Sequence, residues 1–162
     1  MTHKLEQFSV DQLNARLKDE YMAFFFYRSA SNWCEGVGFE KAAAFFATES
    51  DTESGHAKII QDYLNGWNIT PSLPSLSMPN VEFASLIDVI EQAYKIEYDL
   101  YEKYERSSLD IFESNDVCTF DFLQQFRKIQ TDSVREYSDM LNMLEGVETN
   151  KFNLLLLEGK LF

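Results

Sequence analysis

The sequence has few of the residues that break helices or cross-link a fold. Its 162 residues include six glycines and three prolines, and all three prolines fall between Pro71 and Pro79. Because glycine and proline are the strongest helix breakers, this distribution predicts a mainly α-helical chain. Cys34 and Cys118 are too few for a disulfide framework, which favours a reducing compartment. The length suits a single domain over residues 1–162.

Basic residues are also scarce, with 14 Lys and Arg against 27 Asp and Glu, a formal net charge of −13. An acidic surface repels phosphate backbones, so we expect no nucleic-acid partner. Such a surface can attract cations, or it can simply keep the protein soluble. No apolar run approaches the length of a membrane span, and residues 1–12 contain no apolar signal core. We therefore expect no membrane partner and a cytoplasmic location.

Hydrophobic spacing and helix-ending residues divide the chain into four long helices and a short fifth one. The predicted helices cover about residues 9–35, 39–65, 82–112 and 117–145, followed by a short helix over about 149–158. Ser9 is the predicted N-cap of the first helix, and Gly159 the predicted end of the last. Only the connection between the second and third helices, residues 67–81, is long. This pattern predicts an all-α four-helix bundle with one long crossover.

Polar residues interrupt the apolar stripe of each long helix near its middle. Apolar residues should recur there at alternating spacings of three and four. The stripes instead contain Glu20 in the first helix, Glu49, Glu53 and His56 in the second, Glu97 in the third, and Gln130 and Ser133 in the fourth. Unpaired buried carboxylates cost several kcal/mol, and the stripes contain no Lys or Arg. The sequence therefore predicts that metal ions supply the counter-charge.

The two halves of the chain repeat this arrangement. Glu20 precedes Glu53 by 33 residues (53 − 20), and Glu97 precedes Gln130 by 33 residues (130 − 97). Each hairpin thus places a glutamate of its first helix opposite a polar pair at i and i+3 in its second helix. The pair in the second hairpin, Gln130 and Ser133, lacks strong metal ligands. In the first pair, Glu53 and His56 share one helical face and can reach one ion. Carboxylates with a single imidazole suit iron, manganese or zinc.

With this residue set the chain resembles the ferritin family, in particular its non-haem branch. The resemblance covers about residues 12–144. It is carried by the segment ESDTESGHA at residues 49–57, which contains Glu-x-x-His, and by Glu20, Tyr27, Glu97 and Gln130. It implies a ferritin-like four-helix bundle with a long crossover and a short C-terminal fifth helix.

The resemblance also implies a ferroxidase site with two irons per subunit. The implied metal ligands are Glu20, Glu53, His56, Glu97 and Gln130, and Tyr27 is an implied further catalytic residue. Glu53 bridges the two irons in this interpretation, and Gln130 lies beside them. The implied activity is oxidation of Fe(II) by dioxygen or peroxide, followed by storage of ferric mineral in a homo-oligomeric shell of 24 subunits.

Several positions depart from patterns within the family. Ser133 stands where bacterial members often carry a carboxylate ligand of the second iron, and in this it is similar to the H-type subunits of animals. Thr52 and Ile129 replace carboxylates of a third iron site, so that site is not expected. Ser54 stands where haem-binding members have methionine, and a second Glu-x-x-His is missing. No haem is expected for this reason.

Three functional hypotheses follow from these residues. The first is a storage ferroxidase. The second is a shell subunit with weakened ferroxidase activity, because Ser133 lacks a carboxylate and because Gly55 and Lys58 replace inward acidic residues. The third is a di-metal oxidase that acts on an organic substrate and has no storage role.

Two further features leave alternatives open. The run from Phe24 to Phe26 spans too wide an arc for one core face, which predicts a second buried surface such as a subunit contact. Glu49 lies on the same stripe of the second helix as Glu53 and His56. A position at the boundary of the core is favoured for it over a role near the metals. Whether Glu49 or Asp132 adds a further metal site stays open.

Overall fold

Five helices make up the computed structural model, which describes residues 5–162 and contains no strand within them. The helices are α1 (Gln7–Val37), α2 (Glu40–Gly66), α3 (Leu86–Glu113), α4 (Val117–Leu144) and α5 (Lys151–Leu161). α1 packs along α2, α3 packs along α4, and α1 and α3 join the two hairpins. α5 contacts α2. The predicted all-α four-helix bundle with a short fifth helix is confirmed.

The two hairpin connections are tight because a residue in the left-handed conformation ends the first helix of each. Gly38 has φ 88° after α1, and Asn115 has φ 67° after α3. The N–H of Phe39 donates to the carbonyl of Cys34 across the first turn, at 2.9 Å. Such a bond satisfies a helix-end carbonyl and reverses the chain.

The long connection between α2 and α3 runs along α1. Its Ser72 N–H donates to Oδ1 of Asn14 at 2.9 Å, and further along its Phe83 ring packs edge-on against Trp33. Asn14 and Trp33 are 19 positions apart (33 − 14) in α1, so this path covers about 28 Å at 1.5 Å per residue. The crossover therefore returns the chain to the end of the bundle at which α2 begins, so α3 runs parallel to α2 and antiparallel to α1.

The start of α1 differs from the prediction. The helix begins at Gln7, and Ser9 does not cap it. Ser9 is buried, and its hydroxyl donates to Oδ2 of Asp116 at 2.6 Å. Asp116 in turn caps α4 by accepting from the N–H of Thr119 at 3.0 Å. The serine is thus used for a contact between α1 and α4.

The starts of α3 and α5 also lie later than predicted, and in both cases an unnoticed cap decides the position. Ser85 accepts from the N–H of Asp88 at 3.1 Å, so α3 begins at Leu86 rather than near residue 82. Asn150 accepts from the N–H of Asn153 at 2.9 Å, so α5 begins at Lys151 rather than near residue 149. α5 also continues through Gly159 to Leu161, and the prediction that Gly159 ends it is wrong.

Aromatic rings fill the core on either side of the polar middle. Tyr27 lies between two parallel rings, with ring centroids 6.0 Å from Phe46 and 6.2 Å from Tyr137. Tyr104 stacks on Phe126 with centroids 5.0 Å apart. All five side chains are fully buried. Rings with well-defined rotamers and large contact areas hold the four helices at fixed separations, which positions the polar residues between them.

The run of phenylalanines faces two environments. Phe26 is buried and packs edge-on against Phe83, whereas Phe25 is 38% exposed. The neighbouring Met22 and Met78 are 51% and 83% exposed. An apolar surface therefore remains uncovered beside α1, and its role in subunit contacts stays a prediction. No helix within residues 5–162 is both long and apolar enough to cross a membrane.

Candidate metal centre

Five buried polar side chains meet at mid-height of the bundle, and every long helix supplies at least one of them. They are Glu20 from α1, Glu53 and His56 from α2, Glu97 from α3 and Gln130 from α4. His56 is 8% exposed and Glu53 is 2% exposed, while the other three are completely buried. The structure thus brings together the residues that interrupt the four apolar stripes.

The first ligand group consists of Glu20, Glu53 and His56. Nδ1 of His56 lies 2.9 Å from Oε2 of Glu53 and 3.5 Å from Oε2 of Glu20. One potential ligand atom from each residue lies within 4.8 Å of the others. Carboxylate oxygens and imidazole nitrogens bind zinc-like ions at about 2.0–2.2 Å, so two donors on one ion are at most about 4.4 Å apart. The group therefore fits a single ion after small adjustments.

The second ligand group consists of Glu49, Glu53 and Glu97, again with one oxygen from each within 4.8 Å of the others. Glu49 lies one turn before Glu53 on α2 and is half-buried. Helical spacing alone favours a boundary position for Glu49, but the structure brings its carboxylate to the polar middle of the bundle. Because Glu53 belongs to both groups, two ions held there would be neighbours bridged by one carboxylate.

Two buried tyrosines hold the glutamates of α1 and α3 in a crossed arrangement. Tyr27 of α1 donates to Oε1 of Glu97, and Tyr104 of α3 donates to Oε1 of Glu20. The spacing is the same for both pairs, since 97 − 20 and 104 − 27 both equal 77. Tyr104 is missing from the predicted site because a tyrosine suits an ordinary core position. The shared 77-residue offset is the signal that identifies it.

Gln130 attaches α4 to the second ligand group. Its Nε2 donates to Oε2 of Glu97 at 2.8 Å and to the Glu97 carbonyl at 3.3 Å. Within residues 5–162, two buried oxygens of the centre, Oε1 of Gln130 and Oε2 of Glu20, accept no hydrogen bond. An unsatisfied buried acceptor costs about 1–3 kcal/mol. A bound cation would satisfy such oxygens, so these side chains fit a metal ion.

Other positions singled out from the sequence lie outside both ligand groups. Asp132 is exposed, and Ser133, at i+3 from Gln130, is half-buried. Thr52, Ser54 and Gly55 are exposed on α2, and Ile129 is half-buried on α4. Lys58 pairs with Asp62 at 2.6 Å on the outer face of α2. Of Glu49 and Asp132, only Glu49 belongs to a ligand group in the part of the chain that the structure describes.

Comparison with known proteins identifies the family. The family described as Ferritin, with a ferritin-like domain, matches residues 10–147. The chain belongs to the ferritin family. A bacterial non-heme ferritin of Campylobacter jejuni is 32% identical over 117 residues, which cover 72% of this chain and 70% of that protein. A probable bacterial non-heme ferritin-like protein of Haemophilus influenzae is 28% identical over 152 residues, which cover 94% of this chain and 92% of that protein.

Solved ferritins share the backbone arrangement. An open pore ferritin from Archaeoglobus fulgidus superposes with a TM-score of 0.91 over 98% of each chain, at 20% identity. A humanized archaeal ferritin superposes with a TM-score of 0.92 over 98% of this chain and 96% of the other, also at 20% identity. At this level of identity the likeness shows the fold and no more.

Burial and mutual charge shift the pKa values of the first ligand group in this ferritin. Burial opposes the charge on His56, but the neighbouring carboxylates of Glu20 and Glu53 outweigh it and raise the pKa of His56 to about 10. Burial also opposes ionisation of Glu20, yet hydrogen bonding and the His56 charge hold the pKa of Glu20 below its ordinary value. Burial and the Glu20 carboxylate raise the pKa of Glu53 well above its ordinary value, although His56 opposes this. The group therefore attracts positive charge.

The second ligand group contains three carboxylates and no imidazole, so charges of the same sign are closer together there than in the first group. Burial raises the pKa of Glu49 to about 7, with the Glu136 and Glu97 carboxylates adding to the effect. Burial also raises the pKa of Glu97, although hydrogen bonds from Tyr27 and Gln130 oppose it. Because a nearby divalent cation favours the ionised carboxylate, the same residues that repel one another here suit a metal position.

Proposed function

We propose that this ferritin stores iron and that each subunit oxidises Fe(II) at a di-iron centre. The observation that carries the proposal is the pair of three-residue ligand groups joined through Glu53. Fe(II) is the substrate, and the family relationship supports iron rather than manganese or zinc. Two neighbouring ions can each release one electron, and this matches a two-electron oxidant such as dioxygen.

The proposed roles follow the contacts. Glu20, Glu53 and His56 hold the first Fe(II), and Glu53 reaches the second one together with Glu97. Carboxylate oxygens add negative charge, which favours Fe(III) over Fe(II) and so favours oxidation. In the overall reaction two Fe(II) ions lose two electrons, while dioxygen gains two electrons and two protons to give hydrogen peroxide. Peroxide can serve as oxidant in a further turnover, as it gains two electrons and two protons to give water.

Gln130 and the tyrosines position these ligands. Gln130 donates to the carboxylate of Glu97, and Tyr27 donates to the other oxygen of the same group. Hydrogen bonds to metal-binding carboxylates orient them and tune their basicity. We propose that Tyr27 and Gln130 keep Glu97 turned toward the second iron while the iron changes charge.

Storage requires a closed shell, and we propose that the subunits form a homo-oligomer of 24. The exposed apolar side chains of Met22, Phe25 and Met78 support contacts between subunits. Light-scattering mass combined with iron content tests this assembly. A monomer or dimer would instead favour a di-metal oxidase that acts on an organic substrate. The cytoplasmic location also stays a prediction.

Iron oxidation tests the centre itself. Fe(II) is added aerobically to the purified protein, and ferric absorbance and oxygen consumption are followed together. The Glu53→Ala, His56→Ala double variant should lose rapid oxidation, because it removes the bridge and the imidazole. A double variant on the outer face of the same helix, Asp51→Ala with Lys58→Ala, is the matched control and should oxidise at the wild-type rate. Unchanged oxidation in the Glu53→Ala, His56→Ala variant would contradict the assignment of the oxidation site to these residues.

A shell subunit with weakened activity is the second candidate function. It is favoured by Ser133, which is half-buried one turn after Gln130 and carries no carboxylate. Full occupancy of both metal positions, with oxygen consumption no faster than in buffer, would support this alternative over a working ferroxidase.

A further inference from the structure

The second metal position is short of ligands from α4. On that helix, Gln130 uses its amide nitrogen to bond Glu97, and Ser133, one turn later, has only a hydroxyl. Glu53 and Glu97 alone would give an ion two carboxylates, of which Glu53 is shared with the first position. A stably bound divalent ion needs further oxygen donors, since most such ions take four or more ligands.

Glu49 lies where such a donor is needed. Together with Glu53 and His56 it forms an i, i+4, i+7 strip along α2, so all three side chains point into the same part of the bundle. A carboxylate oxygen of Glu49 lies within 4.8 Å of oxygens of both Glu53 and Glu97. In contrast to those two residues, Glu49 is half-buried, so it is connected to solvent as well as to the centre.

An unsatisfied polar atom supports a bound ion at this position independently of the acidic cluster. Oε1 of Gln130 is completely buried and accepts no hydrogen bond within residues 5–162. It belongs to the amide that bonds Oε2 of Glu97, so it lies at the ligand group itself. Polar atoms left open in a dry core indicate a missing partner.

We propose that Glu49 is a ligand of the second metal ion and takes the place of the α4 carboxylate that Ser133 does not supply. The second ion is then held by Glu49, Glu53 and Glu97, with Oε1 of Gln130 available as a neutral donor. The ligand missing from α4 is thus replaced by one from α2, one turn before Glu53. This inference rests on the proposed di-metal centre and specifies how its second half is built.

Zinc binding tests the inference without relying on oxidation. The assembled protein is dialysed against Zn²⁺ at defined free concentrations, and crystals grown with Zn²⁺ are used to locate the ions by anomalous scattering. The wild-type protein should show two ions per subunit at the centre, with Glu49 in contact with the second. Glu49→Gln should keep the first ion and bind the second at least about tenfold more weakly.

Two further variants separate a ligand role from a general effect of charge. Glu40→Gln removes an exposed carboxylate from the same helix and should bind both ions as the wild type does. Glu49→Gln combined with Ser133→Glu returns a carboxylate to α4 and should restore tight binding of the second ion. Retention of the first ion by Glu49→Gln shows that this subunit is correctly folded.

The outcomes distinguish this inference from the proposed function. Two ions in wild type, with no contact from Glu49 and undiminished binding in Glu49→Gln, would overturn the role of Glu49 and leave the di-metal centre intact. No ion at the centre of the wild-type protein would overturn both. Loss of only the second ion in Glu49→Gln, recovered by Ser133→Glu, would establish the proposed ligand.

Discussion

Tyr104 of α3 donates a hydrogen bond to Oε1 of Glu20 of α1. Tyr27 of α1 returns the contact by donating to Oε1 of Glu97 of α3. In both helices the tyrosine follows the glutamate by seven residues (27 − 20 and 104 − 97). Since each tyrosine fixes one oxygen of a carboxylate, it also sets the direction of the other oxygen. The two helices thus orient each other's candidate metal-binding carboxylate.

Removing one tyrosine hydroxyl should weaken one metal position more than the other. Tyr104→Phe leaves Glu20 free to rotate, so Zn²⁺ binding at the first position should weaken by about tenfold or more. Tyr27→Phe should act in the same way on the second position through Glu97. The dissociation constants are measured by competition with a chelator of known affinity.

Tyr98→Phe is the matched control for these variants, because Tyr98 lies on α3 and is 43% exposed. It should leave both affinities unchanged. Equal weakening of both positions by either buried variant would contradict the crossed arrangement and would indicate a general loss of packing instead.

Glu53→Gln should stabilise the protein in the presence of a chelator and abolish stabilisation by metal. Glu53 shares its surroundings with other buried carboxylates, and repulsion between them at such distances is on the order of kcal/mol even with partial screening. Removing one charge should therefore raise the melting temperature by about 2–4 °C for each kcal/mol relieved. In wild type, Zn²⁺ at a hundred times its dissociation constant should add about 2.7 kcal/mol, and most of this should be lost in the variant.

Scanning calorimetry with chelator and with excess Zn²⁺ measures both effects. Glu40→Gln removes an exposed charge from the same helix and should change neither melting temperature appreciably. A lower melting temperature for Glu53→Gln in chelator would show that its hydrogen bond to His56 outweighs the repulsion, contrary to this expectation.

The fold could be predicted because local signals agree with one another. Prolines confined to one segment and apolar stripes in four others leave few alternatives to a bundle with one long crossover. One of the errors concerns a side chain whose use depends on a distant partner. Ser9 has the chemistry of an N-cap, but it bonds Asp116, which is 107 residues away in the chain. Sequence spacing carries no information about such a contact.

The centre could be predicted only in part, for a related reason. Glu20, Glu53 and Glu97 are detectable because a carboxylate contradicts an apolar stripe. Tyr104 contradicts nothing, since tyrosine is common in cores. Glu49 equally suits a half-exposed boundary position, and only its distance from Glu97 indicates another role. The assignment of metal ligands itself stays a prediction.

The buried arginine between α1 and α3 should not tolerate replacement by lysine. Arg16 is 9% exposed, and its guanidinium bonds Asp19 at 2.8 Å, the Lys103 carbonyl at 3.0 Å and the Ser107 hydroxyl at 2.6 Å. A lysine has one nitrogen and cannot reach three partners in a fixed fork. Arg16→Lys should therefore destabilise by about 1–3 kcal/mol, because it leaves buried acceptors without a donor. Calorimetric melting of the assembled protein measures the loss.

Arg28→Lys is the control for this substitution. Arg28 also joins two helices through a carboxylate, bonding Asp51 at 2.8 Å, but its side chain is 42% exposed and that of Asp51 is 76% exposed. Exposed ion pairs contribute about 0–1 kcal/mol, so Arg28→Lys should be close to neutral. Equal effects of the two substitutions would mean that burial and multiple bonding do not distinguish the two arginines.

Glu158 of α5 caps the start of α2, and its removal should destabilise the helix that carries Glu49, Glu53 and His56. Oε1 of Glu158 accepts from the N–H groups of Lys41 at 2.8 Å and Ala42 at 3.0 Å. Phe39, the residue before α2, provides no side-chain cap. Glu158→Ala should cost about 1–2 kcal/mol, because two N–H groups lose their acceptor and the helix dipole loses a favourable charge.

Glu158→Gln separates these two contributions, since it keeps an acceptor and removes the charge. Glu158→Gln should destabilise the protein less than Glu158→Ala does. The stability difference between the wild type and Glu158→Gln should shrink with added salt, because only the wild type carries a charge that salt can screen. Ala42 and Glu53 are 11 positions apart (53 − 42), about 16 Å along α2, so Zn²⁺ stoichiometry should be unchanged in both variants. Exposed Glu148, replaced by alanine, provides the control melting temperature. If Glu158→Ala melts with that control, α5 is merely attached to the bundle. If it melts earlier, α5 stabilises the helix that carries three of the candidate ligands.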